Sequence, residues 1–274
     1  MPDLKNEKLA IPLVIIAGLI WSFGPLVVRN IDNAGIVPWQ YLFARGIVIF
    51  LLLNCYLFLE EGMDFYKNYL KIGMSGIIGG VGLGTAMMTF IWSITNTTAA
   101  ITLLCLAAMP FITALLGFLF LKEKISVNVW IAIFVASIGV AIMAIGSSSL
   151  GSVNGLIFGL ASALGFSIFS VSLRWRKETP KFTTVAIAGL FCCLFSLVVI
   201  LQNDLNFLSS SKNEGLFALH GTFVCLGLIL YSIGSKAIPA AELTLLSLTE
   251  VIGGIFWVWI PILGINEIPT NNTI

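Results

Sequence analysis

Glu250 is the most demanding residue of the chain. It stands ten residues into an apolar run that starts at Ala240, about 15 Å along a helix that rises 1.5 Å per residue. On such a helix Ser247, Gly253, Gly254 and Trp257 share its face, because residues three, four and seven apart stack on one side. A carboxylate grouped with a hydroxyl, close-approach glycines and an indole suits an ammonium group, or a proton that is taken up and released. The plainer use is a protonated glutamate hydrogen-bonded between helices. Arg45 and His220, the only histidine, also stand in apolar runs. Arg45 can meet a ligand carboxylate or Glu250, or it can lay its stem along apolar surface and put its head in water. His220 has the ring chemistry for proton transfer, although a lone histidine is equally served by a packed, hydrogen-bonded position. Trp21, Trp92 and Trp257 lie inside apolar runs, whereas Trp39, Trp130 and Trp175 lie near run ends, where indoles anchor at an interface.

The elements that carry these residues are set by composition. Of 274 residues, 58% are hydrophobic and 10% charged, against roughly a quarter charged in soluble domains. The mean hydropathy is +1.04. So few charges cannot hydrate the surface of a soluble domain, and a net charge of +1 gives no field to attract nucleic acid. The five cysteines fall in apolar runs without metal-ligand or disulfide spacing. No HExxH motif or nucleotide-binding glycine loop is present, so neither metal nor cofactor is expected. About 20 apolar residues span a bilayer. Nine runs reach that length: Leu9–Arg29, Val37–Leu59, Tyr69–Ile94, Thr97–Leu121, Val127–Gly146, Val153–Arg174, Phe182–Gln202, Gly215–Gly234 and Ala240–Gly264. They lack strand alternation, so helices are expected.

Loop charge predicts orientation. With the N-terminus in the cytoplasm, eleven lysines and arginines lie inside, from Lys5 and Lys8 to Lys181 and Lys236, and only Arg29 and Lys212 lie outside. The order of features recurs about 140 residues apart. LIWSFGPLVVR, from Leu19 to Arg29, parallels LGFSIFSVSLR, from Leu164 to Arg174. Ala99-Ala100 opens helix 4 as Ala240-Ala241 opens helix 9. Helix 4 ends at Lys122-Glu123, and helix 9 runs out near Glu267. Five helices per unit, an odd number, place the second unit upside down. The sequence thus predicts an all-α integral membrane protein of two inverted repeats, residues 1–147 and 148–274, with nine spanning helices and the tenth missing from this chain.

The stretch TTAAITLLCLAAMPFITALLGFLFLKEKIS, from Thr97 to Ser126, resembles the fourth helix of an EamA-type repeat. Trp21-Ser22, Phe43-Ala44-Arg45 and Leu248-Thr249-Glu250-Val251 are similar to further signatures of that family. Val251, where the family often has proline, departs from the pattern. The resemblance implies the drug/metabolite transporter superfamily, with a central cavity for small organic solutes. It implies a carrier rather than an enzyme, and the short loops, with no targeting signal read in the sequence, lead us to expect a bacterial inner membrane. Its cargo is expected to be an amino acid or related amphipathic solute, moved by alternating access, with proton coupling or exchange. The expected partners are that solute, the lipid bilayer, a coupling proton and, as an option, a second copy of the chain. The substrate-binding set is Trp21, Ser22, Arg45, Trp92, His220, Ser247, Glu250 and Trp257, with no catalytic residue. Two rivals are a channel-like facilitator and an intramembrane serine protease, the latter from the Gly73-Met74-Ser75-Gly76 match and His220. Pro25 and Pro110 free the carbonyls of Trp21 and Leu106 within their helices. Small residues at Gly76, Gly80 and Gly84, and at Gly155, Gly159 and Ala163, read as packing stripes.

Overall fold

The computed structural model describes residues 7–124, 126–131, 134–135, 138, 153–176 and 178–260. Among them the chain is helical without strands. Eight segments are long and apolar enough to cross a membrane: Lys8–Arg29, Pro38–Leu70, Gly73–Asn96, Ala99–Leu121, Val153–Trp175, Lys181–Gln202, Ser211–Gly234 and Ala240–Trp259. These match eight of the nine expected runs. The expected fifth, Val127–Gly146, falls mostly outside the described residues, as do Pro261, Asn266 and Glu267 in the tail of the ninth. Large apolar side chains such as Leu51, Phe118, Ile157, Val198 and Phe256 are exposed around the bundle, where a bilayer would meet them.

Three spans are broken, and the breaks organise the rest. The first consists of α1 (Glu7–Trp21) and α2 (Gly24–Arg29), separated by Ser22 and Phe23. The second is α3 (Pro38–Glu61), followed by a 3-10 turn and the short α4 (Lys67–Leu70). Gly73, with φ of 61°, then starts α5 (Gly73–Asn96). That turn is why the third span begins four residues later than the apolar run, since a left-handed residue there is best met by glycine. The fourth span divides into α6 (Ala99–Leu106) and α7 (Met109–Leu116). Three unbroken helices follow: α8 (Val153–Trp175), α9 (Lys181–Gln202) and α10 (Ser211–Gly234). The last span divides at Leu248 into α11 (Ala240–Ser247) and α12 (Thr249–Trp259).

Pro25 and Pro110 sit in the first turns of α2 and α7. There proline loses nothing, because the first-turn amides have no helical acceptor anyway. The break at Leu248 has no proline. Leu248 N donates to Leu245 O at 3.2 Å and Val251 N donates to Leu248 O at 2.9 Å, so the chain tightens to i→i+3 bonds at that point. Thr249 Oγ1 donates to Ile15 O at 3.3 Å, tying the break to α1. Gly18 makes room for it, since a Cβ there would stand 3.0 Å from Ser247 O and 3.1 Å from Glu250 N.

Glycines also set the central helix pairs. In α3 and α9, a Cβ on Gly46 would lie 2.7 Å from Gly189 O, and one on Gly189 would lie 2.9 Å from Gly46 O. In α5 and α8, Gly82 and Gly165 stand in the same reciprocal relation, at 3.0 and 2.6 Å. Backbones meet directly where lipid supplies no hydrophobic drive and dispersion contact must hold the helices together.

Candidate functional site

All three breaks point at one cavity. It is lined by Trp21 and Gly24 from the first break, Leu106 and Met109 from the second, and Glu250 from the third. Arg45, Met87, Ser162, Phe166 and His220 also line it, among apolar neighbours. Its water-sized space is about 80 Å³, where a single water needs roughly 10–15 Å³.

Arg45 is 2% exposed and does not reach toward headgroups. Its Nη2 donates to Met87 O at 2.9 Å, and its guanidinium lies 5.5 Å from the centre of the Tyr41 ring. Its Nε is buried without a hydrogen-bond partner. Ser162 Oγ donates to Ala86 O at 3.0 Å, so two polar residues of the wall are anchored on consecutive carbonyls of α5. His220 is 3% exposed and its Nδ1 is hydrogen-bonded to the Tyr41 hydroxyl. The other ring nitrogen faces Gly24, where a Cβ would stand 2.8 Å from Nε2.

Glu250 lies in the first turn of α12, at the end of a helix where amide N–H groups favour an anion. Among the described residues its carboxyl makes neither a hydrogen bond nor an ion pair with Arg45, although both line the cavity. Trp21 Nε1 donates to Val224 O at 3.2 Å, and its ring packs against Phe166 and Tyr231 with centroids 5.7 and 5.6 Å away. Gly227 leaves space for the indole.

Trp21, Arg45, His220 and Glu250 of the expected set therefore come together. The other four lie elsewhere. Ser22 Oγ accepts from Trp257 Nε1 at 3.0 Å, and these two border a separate apolar groove with Leu19, Phe23 and Phe256. Ser247 Oγ donates back to Thr244 O at 2.8 Å. Trp92 packs between Trp39 and Phe158. The physical reason is the break at Leu248. A continuous helix would keep Ser247 on the face of Glu250, but the tightened turn at Leu248 parts them, and Trp257, in the same helix as Glu250, is drawn to Ser22 instead. Sequence reasoning missed Gly24, Met87, Ser162 and Phe166. Phe166 had a signal in its alignment with Trp21; Ser162 had one in its place beside the Gly159–Ala163 stripe.

Polar contacts tie the helix ends beyond the cavity. At the lysine-rich end, Arg174 Nε and Glu123 form an ion pair at 2.6 Å. Glu123 also accepts from Ala240 N at 3.1 Å, and Arg174 Nη1 donates to Ser235 O and Ile238 O at 3.1 and 2.6 Å. At the opposite end Arg29 donates to Ile94 O and Thr97 O, both at 3.0 Å, and Lys212 pairs with Asp32 at 2.6 Å. Ser75 is hydrogen-bonded to Thr179, not to His220, so the serine and histidine of a protease site do not meet. Among the described residues no cluster of His, Cys, Asp and Glu could hold a metal.

A helical bundle of eight membrane-length segments around a small cavity lined by an arginine and a glutamate is an arrangement that suits a membrane transport protein. Residues 8–145 match the EamA-like transporter family, and the chain belongs to that family. It is therefore a multi-span membrane transporter of the drug/metabolite transporter superfamily. It is 23% identical over 253 residues to the uncharacterized transporter YojE of Bacillus subtilis (strain 168), covering 88% of this chain and 81% of that one. It is 27% identical over 182 residues to the uncharacterized transporter PA0485 of Pseudomonas aeruginosa, covering 64% and 56%. A crystal structure of a protein 18% identical matches with a TM-score of 0.73, over 98% of this chain and 92% of that one. At that identity the likeness shows the fold alone.

Proposed function

We propose that this chain carries a small zwitterionic or amphipathic organic solute, an amino acid or close relative, across the inner membrane through the central cavity. The observation that carries this reading is that Arg45 and Glu250, a guanidinium and a carboxyl group, line one small cavity while Arg45 bonds Met87 O rather than Glu250. Arg45 offers its unpartnered Nε and planar fork to a carboxylate. Glu250 offers its carboxylate to an ammonium, or exchanges a proton, and Phe166, Met87 and Trp21 take the apolar part.

Alternating access of two inverted repeats, residues 1–147 and 148–274, is the mechanism we infer, with the N-terminus cytoplasmic. Local geometry supports the repeats. Arg29 bonds carbonyls five and two residues before Ala99, and Arg174 bonds carbonyls five and two residues before Ala240, at opposite ends of the bundle. The eight-residue α6 and α11 each start with Ala-Ala and each end at a break. Gly46 and Gly189, separated by about the repeat length, touch reciprocally, as residues beside a two-fold axis do. A fifth crossing is supported as well. Glu123 meets Arg174 at one end, while Gly155 packs on Thr97 near the other. Val127–Gly146 is an apolar run long enough to join two such ends.

A ligand screen by thermal shift on detergent-purified protein tests the solute class. At 100 times its Kd, a true ligand should stabilise the fold by about 2.7 kcal/mol. Amphipathic amino acids should do so for the wild type and not for Arg45→Lys or Glu250→Gln. Stabilisation only by uncharged solutes would reject the reading. An uncoupled facilitator would bind the same ligands, and it would show no response of flux to an imposed pH gradient.

A further inference from the structure

A second cavity opens at the lysine-rich end of the bundle. Its volume is about 500 Å³, and it shares no lining residue with the central one. Leu57 and Phe182 form its apolar floor, and both are buried. Lys71, Lys181 and Lys236 surround it. Lys181 is half-buried, donates to Ser235 Oγ at 2.8 Å, and is within electrostatic reach of Arg174 and Lys236.

The start of the 22-residue helix α9 also lies in this wall. Pro180 precedes it and gives no side-chain cap, so its first amides have no partner supplied by a cap. Independently, Thr183 and Ser232 line the cavity, are each 0% exposed, and keep hydroxyl oxygens without hydrogen-bond partners. Buried hydroxyls are ordinarily satisfied, so two in one wall call for a ligand or its water. Two carboxylates border the cavity. Glu61 accepts from Asn68 Nδ2 at 2.7 Å, and both it and Glu178 are exposed, so the most buried ionisable group of the lining is the Lys181 side chain.

The neighbouring link between the second and third spans presents Met63, Tyr66 and Leu70, at 72, 52 and 80% exposure. A segment that shows apolar side chains beside a basic cavity fits the level where lipid headgroups give way to acyl chains. We propose that this cavity binds a phosphate ester, and that its source is the headgroup of an anionic phospholipid rather than a soluble phosphate. Lysines and helix amides hold the phosphate oxygens, and the exposed apolar link takes the chains. The site stands apart from the transport reading and would exist whichever solute the central cavity takes.

The full chain in neutral detergent, titrated with phosphatidylglycerol, phosphatidylcholine or inorganic phosphate, provides the test. Bound lipid is counted by native mass spectrometry, and apparent Tm is followed in parallel. Phosphatidylglycerol should be retained at least tenfold more strongly than phosphatidylcholine and should raise Tm more. Lys71→Gln with Lys236→Gln, both exposed side chains whose loss spares the core, should remove most of that preference while leaving the Tm in phosphatidylcholine unchanged. Lys181→Gln should remove it further. Equal retention of the two lipids, or a preference that survives all three substitutions, overturns the site. Inorganic phosphate that reproduces the whole Tm gain and displaces the lipid overturns the lipid as its source.

Discussion

Glu250 and Arg45 show what single residues can announce. Both were legible in the sequence because a charge at membrane depth costs several kcal/mol and needs a reason. His220 and Trp21 were legible for the same kind of reason, as groups too polar or too large to be filler in lipid. The partners were not legible. Nothing in the sequence says that Tyr41 holds His220, or that Arg45 rests on Met87 O, because these contacts join residues 179 and 42 positions apart. The sharpest test at this scale is Glu250→Gln, which keeps size and hydrogen-bonding capacity and removes titration. The variant should insert and fold normally, and transport in proteoliposomes should be lost or become insensitive to an imposed pH gradient. Wild-type flux with unchanged pH dependence would leave Glu250 as a structural residue. Arg45→Lys keeps the charge but not the planar fork, and should weaken solute binding at least tenfold, about 1.4 kcal/mol. An unchanged Kd by ligand titration would remove Arg45 from the site.

Elements were legible in their lengths and only partly in their breaks. Pro25 and Pro110 marked two of them in advance. The third, at Leu248, arises from tertiary contact: Thr249 reaches Ile15 O, and Gly18 lets the turn lie against α1. No periodicity records such a contact, which is why Ser247 was expected beside Glu250. The physical dependence on Gly18 is testable. Gly18→Ala would press a Cβ onto Thr249 Oγ1 and place it 3.0 Å from Ser247 O, and backbone cannot step aside as a side chain can. It should cost about 1–3 kcal/mol and should lower solute affinity, because Glu250 moves with the turn. Gly215→Ala is the control, with nothing within 4 Å of its added methyl. Thermal unfolding and ligand binding measured on both variants decide the matter, and equal stability of the two would mean that the turn relaxes freely. Glu123→Gln probes a different element end. It leaves Arg174 with carbonyl acceptors only, so the lysine-rich end should loosen. A cysteine placed at Ala241, buried beside Glu123, should then react faster with maleimide than in the parent background.

At the scale of the whole molecule, the last prediction concerns which way the second half faces. Charge asymmetry puts Lys8, Lys122 and the Arg174–Lys181 loop on one side, and Lys212 on the other. The structure brings Glu123 and Arg174 together at one end, and Asp32 and Lys212 together at the other. The orientation of everything after residue 153 therefore turns on whether the expected span Val127–Gly146 crosses. If it crosses, the Glu178 loop is cytoplasmic and Lys212 is external. If it does not, both assignments reverse while those of the first four spans stay fixed. The natural cysteines are Cys55, Cys105, Cys192, Cys193 and Cys225, with only Cys55 exposed, so a cysteine-free background is within reach. On that background Glu178→Cys and Lys212→Cys report the two loops, and Lys67→Cys reports the first half. An impermeant maleimide added to intact cells should label Lys212→Cys alone, and all three should react once the membrane is opened. Labelling of Glu178→Cys from outside, with Lys67→Cys still protected, would mean that the chain does not cross between the halves. The two units would then share one orientation, and an inverted pair could not form the cavity by alternating access.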